Sequence, residues 1–265
     1  MTATTSHLTQ TALYSPLDKE YNQEMSGPYK DLGCAGLKDG RISGYWRPLV
    51  GINTEQLLHL WAVSQDIYYM DFLENGLSLV SSMLLSKGYK ATPYYTQIID
   101  LTKSESELKA GVRKSYRSLI NKDHVTSDMH DIVPYKRLHE QVRGVTRHSD
   151  TWHIQQKMIW QKEAFCLIQA RFKNMQNPLA TNTIVEAGVL VYYNKDTAYY
   201  ASGASTVDSH ALMWQAILKA KKLGCKKFEM GEQVFGESKE ANISKFKRGF
   251  GGITEVRLIL EKERT

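Results

Sequence analysis

The sequence predicts an α/β (α+β) protein, a mixed central sheet flanked by helices. Three observations predict it. From Pro93 onward, short runs rich in β-branched and aromatic residues alternate with longer stretches of helical periodicity. Cap and stop signals fall at the joins between those stretches. The composition, 42% hydrophobic and 23% charged over 265 residues, is enough to bury a core beneath a polar surface.

Residues 1 to about 50 are punctuated by glycine and proline from Gly27 to Pro48 and predict irregular chain that wraps onto the rest. At Asn53 the text turns helical, with Asn53 as N-cap of N-T-E-Q-L-L-H-L-W-A-V. A second helix is expected from Phe72 to Lys87, closed by Gly88. Residues 1–93 therefore read as an irregular and helical N-terminal portion, and 94–265 as the domain that carries the sheet.

After Pro93, Y-Y-T-Q-I-I-D-L-T reads as a strand. Ser104 and Glu107 then form a capping box opening a helix expected to run to Lys122. Its stripe is Leu108, Val112, Tyr116, Leu119 and Ile120, while Arg113, Lys114, Arg117 and Lys122 lie mostly off it as a basic face. Such a face serves solvation or phosphate binding. Further helices are expected over Tyr135 to Thr146 and Ser149 to Glu163. Three strands follow, Ala164 to Phe172, Thr183 to Tyr193 and Thr197 to Ser202, the last two joined by an N-K-D hairpin turn. The strongest helix pattern is V-D-S-H-A-L-M-W-Q-A-I-L-K-A-K-K-L-G, capped by Asp208 or Ser209 and stopped by Gly224. C-K-K-F-E-M-G and V-R-L-I-L supply the last two strands, with a loop between them.

That loop, S-K-F-K-R-G-F-G-G at 244–252, concentrates the chemistry. Glycine and lysine together suggest a phosphate cradle, but lysine precedes glycine, which is not the Walker order. A formal charge of +6 and pI near 9.0 favour anionic partners: phosphates, nucleotides or RNA. Cys34, Cys166 and Cys225 are too sparse for a disulfide framework or a zinc site and point to a reducing, cytoplasmic setting. His148, His153 and His210 lack metal-ligand spacing, so no metal is expected. The N-terminal residues show no signal-peptide pattern, and no apolar run is long enough to span a membrane. Contact with membranes is therefore limited to the periphery.

The ordered set "AYYASGAS", "LMWQAILKAKKLGCKKFEMGE" and "SKFKRGFGG" resembles the Fem-type branch of the GNAT acyltransferase superfamily, which includes the peptidoglycan interpeptide-bridge transferases. Upstream, "YTQIIDLTKSESELKAGVRKSYRSLINK" and "VRGVTRHSDTWHIQ" are similar to that branch's strand plus basic helix and its arginine-bearing helical stretch. The likeness runs from about Tyr94 to Lys262. It implies a GNAT-like fold and amide formation on an amine of a nucleotide- or lipid-linked glycan or muropeptide. The implied donor is a co-substrate, aminoacyl-tRNA or acyl-CoA, with no tightly bound cofactor and no DNA partner. Phe246-Lys247 matches the branch's F-K pair; Arg147, or in a second alignment Arg143, matches its diphosphate-binding arginine. The GNAT pyrophosphate loop is not intact in "YYASGASTVDSH", and residues 1–93 are short for a whole first GNAT-like domain. Charged tRNA is the favoured donor, acyl-CoA the alternative, and a non-catalytic GNAT-like binder the rival.

Amide formation needs a site for developing negative charge and groups that move protons. Lys247 suits the first, with Phe246 excluding water beside it. Glu229 and Glu232, at the end of the strand before the loop, are the candidate bases. Arg147 and Arg143 are the substrate-binding arginines, joined by Arg113 and Arg117 of the basic face and by Arg248 of the loop. Tyr200, beside Tyr199, reads as a proton donor or as ring packing.

Overall fold

In the computed structural model, residues 36–38, 41–43, 49, 51–62, 64–121, 126–145, 147, 149–172 and 183–263 are described. Cys34, Lys122, His148 and most of the glycine- and proline-bearing stretch before residue 49 lie outside them. An eight-stranded mixed sheet organises these residues. Its spatial order is β4 (Tyr69–Asp71), β11 (Ile253–Glu261), β5 (Lys90–Asp100), β10 (Lys227–Glu232), β9 (Thr197–Ser205), β8 (Thr183–Tyr193), β7 (Ala164–Phe172) and β6 (Thr126–Met129). Every neighbouring pair is antiparallel except β9 with β10.

Strand periodicity divides the core between the two faces. Phe165 and Leu167 of β7, Val189 and Val191 of β8, and Phe228 and Met230 of β10 join one cluster. It is covered by α3 (Glu105–Gly111) and α6 (His210–Lys222), which contribute Leu108, Leu212, Met213 and Ile217. The alternating residues Cys166, Ile168, Leu190 and Tyr192 point the other way, against Tyr135 and Leu138 of α4 (Val133–Arg143) and Trp152 and Met158 of α5 (Ser149–Trp160). Fully burying each such large side chain contributes about 1.5–3 kcal/mol.

Beyond β4, a small sheet of β1 (Gly36–Lys38), β2 (Arg41–Ser43) and β3 (Asp66–Ile67) adjoins α1 (Thr54–Trp61) and α2 (Leu79–Ser86). Asn53 and Gln56 cap α1 reciprocally, as expected. Arg41 Nη2 reaches Glu261 at 2.6 Å, so this stretch does wrap onto the rest, but with strands at 36–38 and 41–43 instead of irregular chain. The boundary drawn at residue 93 falls inside β5, and residues on both sides of it share the large sheet.

Three expected elements differ. The helix expected from Phe72 begins only at Leu79: Gly76 adopts φ +84° before it, and Ser78 provides the cap. The helix opened by the Ser104–Glu107 box ends at Gly111. Val112 is extended there because the next amide, of Arg113, donates to the carbonyl of Gly249 at 2.9 Å, a tertiary bond that overrides local propensity. A 3-10 turn, Lys114–Tyr116, follows, so Arg113, Lys114 and Arg117 do not share one helical face. Lastly, the supposed loop is largely α7 (Lys239–Arg248), capped by Ser238, whose side chain accepts from Ala241 N. Lys245, Lys247 and Arg248 in its last turn complement the helix dipole.

Candidate active site

β9 and β10 pair only from Thr197/Lys227 to Tyr199/Glu229. β9 then continues beside β8 to Ser205, while a bulge between Glu229 and Gly231 turns β10 aside. Gly231, at φ +75°, makes this turn cheaply. The sheet is left forked, and α7 lies across the fork.

Lys247 is held there. Its Nζ donates to the Glu232 carbonyl at 3.3 Å and lies 5.8 Å from the centre of the Tyr200 ring. Burial pulls its pKa below the usual 10.5, against the opposing pull of the Glu232 and Glu229 carboxylates. Phe246, one residue earlier, packs on His210, Phe250 and Tyr116. The glycines after α7 neither cradle phosphate nor hinge the pair. A Cβ on Gly249 would meet the Tyr116 ring at 2.1 Å, and one on Gly252 (φ +83°) the Ile98 carbonyl oxygen at 2.1 Å. They let the turn press against β5 and the 3-10 segment.

A cleft of about 540 Å³ opens beside Lys247, walled by α4, β9 and α7. It brings Arg143, Arg147, Tyr200, Lys239 and Lys247 together with His139. A second lobe of about 390 Å³ shares Arg143, Tyr200 and Lys239 and extends to Ser205, Ser209, Met213 and Phe246. No acidic side chain lines either lobe. Arg147 is braced by the Trp152 ring at 5.0 Å and by Gln155 Oε1 at 3.4 Å. Tyr135, fully buried, backs the wall through a 2.7 Å hydrogen bond between its hydroxyl and that of Ser202. The Tyr200 ring lies over Gly203, where a Cβ would meet its hydroxyl at 2.2 Å. Burial raises the Tyr200 pKa to about 12, with Arg143 opposing.

His139 was not singled out from the sequence. It is buried, its Nδ1 has no hydrogen-bond partner, and burial and then Arg147 and Arg143 push its pKa down to about 4. A neutral imidazole therefore sits between the arginines and the aromatic wall. Its one sequence signal is a polar ring four residues after Tyr135, on the apolar face of α4.

The remaining site residues lie elsewhere. Arg113 donates to the Lys245 carbonyl at 3.1 Å and so caps the end of α7; Arg117 donates to the carbonyls of Val112 and Ala110. Arg248 turns to Gln233 and the Phe235 ring. Glu232 is exposed, next to Lys247 in space. Glu229 is almost fully buried, and both its oxygens are engaged. Oε1 accepts from Arg257 Nη1 at 2.8 Å and from Thr96 at 3.0 Å, and Oε2 accepts from Arg257 Nη2 at 3.1 Å.

No protein-family model and no curated protein matches the sequence. Among solved structures the chain is similar to FemX, at 12% identity and a TM-score of 0.59, over 78% of this chain and 74% of that one. It is also similar to L-PGS from Bacillus licheniformis, at 11% identity and a TM-score of 0.54, over 94% and 93% of the two chains. A third likeness is the C-terminal domain of a putative lysylphosphatidylglycerol synthetase from Agrobacterium fabrum, at 11%, 0.50, 87% and 80%. The chain thus has a GNAT-like fold of the acyltransferase type. Within that class its architecture is that of the Fem-like branch.

Proposed function

We propose that the chain is an acyltransferase that forms an amide on an amine of an anionic cell-envelope glycan or peptidoglycan precursor, with aminoacyl-tRNA as donor. One observation carries this reading: a desolvated ammonium, Lys247, stands at the strand fork in a cleft that holds three further cations and no carboxylate. A site so unbalanced in charge is complementary to a polyanionic substrate and to an oxyanion. The Fem-like fold and the sequence resemblance support the choice of reaction.

The acceptor amine, neutral, attacks the ester carbonyl of the donor. The carbonyl oxygen takes up the electron pair beside Lys247 Nζ, whose field is strengthened because Phe246 and Tyr200 keep water away. Arg147 and Arg143 hold the phosphates of the acceptor, Arg147 in the orientation fixed by Trp152 and Gln155. As the tetrahedral centre collapses, the ester C–O bond breaks. The departing oxygen receives a proton, and the amine proton passes to Glu232, whose carboxylate is exposed. Glu229 is not assigned this step, because its oxygens are already taken.

A second reading, acyl-CoA as donor, draws on the second lobe, which reaches Ser205 and Ser209 at the start of α6. One experiment tests both. UDP-amino-sugars and muropeptides are incubated with charged tRNA or with acyl-CoA and analysed by mass spectrometry, for the native protein and Lys247→Met. The expected result is a mass gain of one acyl group with charged tRNA, lost in Lys247→Met. A gain with acyl-CoA alone transfers the donor role to the second reading. No gain with any donor rejects catalysis on these acceptors and leaves a binding protein.

A further inference from the structure

A cavity of about 490 Å³ lies apart from the Lys247 cleft, over the starts of β9 and β10 and across β5 and β11. Phe228 and Met230 point into the α6-side core, so Glu229 between them projects from the opposite face, into this cavity. Its partner Arg257 is 3% exposed, with the Phe72 ring 4.3 Å away. Glu229 takes both terminal nitrogens of the guanidinium, and the third donor, Nε–H, is buried with no hydrogen-bond partner.

That combination needs a reason. A buried ion pair gives no more stability than well-packed apolar residues of the same volume, and a buried donor left unpaired costs stability outright. Both are kept here in the lining of a cavity of ligand size. The rest of the lining is amphoteric. Phe72, Leu73, Ile98 and Val256 offer apolar surface, and Glu255 has no ion-pair partner among the described residues. The far end is closed by Lys226, paired with Asp196 at 2.8 Å. A ligand that satisfies all of this carries an acceptor oxygen for Arg257 Nε, a cationic donor for Glu255, and a small apolar body between them.

We propose that this cavity is a binding site for a small zwitterionic amino acid, its carboxylate on Arg257 Nε and its ammonium towards Glu255. The site stands independently of the reaction at Lys247. Isothermal titration calorimetry with leucine, leucinamide and N-acetylleucine tests it. Leucine binds saturably, and removing either of its charges weakens binding about tenfold, the worth of one charge-assisted hydrogen bond. Val256→Trp, which fills the cavity, abolishes binding, and Lys247→Met leaves it intact while removing transfer, so the two ideas fail separately. Should Val256→Trp not fold by circular dichroism, Glu255→Gln, on a partly exposed side chain, weakens leucine about tenfold and leaves N-acetylleucine unchanged. Absence of leucine binding at millimolar concentration, equal binding of leucinamide, or binding unaffected by either cavity variant overturns the proposal.

Discussion

Lys247 and Arg257 are both withdrawn from water, within the same forked sheet, yet they are neutralised to different degrees. Arg257 meets a carboxylate through two hydrogen bonds, with an aromatic ring on its face. Lys247 receives one carbonyl and a distant ring, and no ion pair forms at its Nζ among the described residues. A charge matched inside the fold is spent on the fold. A charge left unmatched is available to whatever enters the cleft, at some cost in stability. Arg257 is therefore expected to answer to stability measurements and Lys247 to kinetic ones.

The largest way to break this contrast is Arg257→Leu. It strands Glu229 as an uncompensated buried carboxylate and is expected to destabilise the protein by about 3–5 kcal/mol in urea titrations. The double variant Arg257→Leu/Glu229→Leu should recover most of that loss. Lys247→Met is the converse case. Turnover is expected to fall about 10²–10³-fold, as when one oxyanion donor is removed, with the unfolding midpoint unchanged or raised. If Lys247→Met unfolds the protein instead, the contrast collapses.

Arg147→Lys keeps the charge but loses the planar fork braced on Trp152 and Gln155. KM for the anionic acceptor should rise about tenfold with kcat unchanged. The smallest effect, and the sharpest on Lys247 itself, comes from Glu232→Gln. Lys247 already titrates below 10.5, and Glu232 is the stronger of the two carboxylates holding its pKa up. The protonated form is the active one, so activity is lost as pH rises through that pKa. Removing the Glu232 charge must move the alkaline limb of the pH–kcat/KM profile to lower pH; an unchanged limb would show that another group titrates there.

Local signals were legible where the physics is local. The Asn53–Gln56 and Ser104–Glu107 caps, the strands at 164–172 and 183–193, and α6 all follow from patterns within one element. α7 was obscured by the glycines at its end, although Ser238 followed by K-E-A-N is a fair helix start. β4 and β6, of three and four residues, are too short to carry a period. Of the site, Lys247 and Arg147 were visible through resemblance. Arg257 was not, since V-R-L-I-L reads as an ordinary strand and its partner Glu229 lies 28 residues away. A lone arginine in an apolar strand was the available hint.

The position of β5 has a consequence for how the chain is made. Both of its neighbours, β10 and β11, come from the last part of the sequence, roughly 130 residues or more after it. At a synthesis rate of ~5–20 residues per second, β5 leaves the ribosome on the order of ten seconds before either partner exists. Its Ile98 and Ile99, buried in the finished sheet, stay uncovered throughout that interval. The β6–β9 half, whose strands are neighbours in sequence, has by then closed on itself. Nascent chains stalled before residue 227 should accordingly protect β7 and β8 from hydrogen exchange and leave β5 open to chaperones.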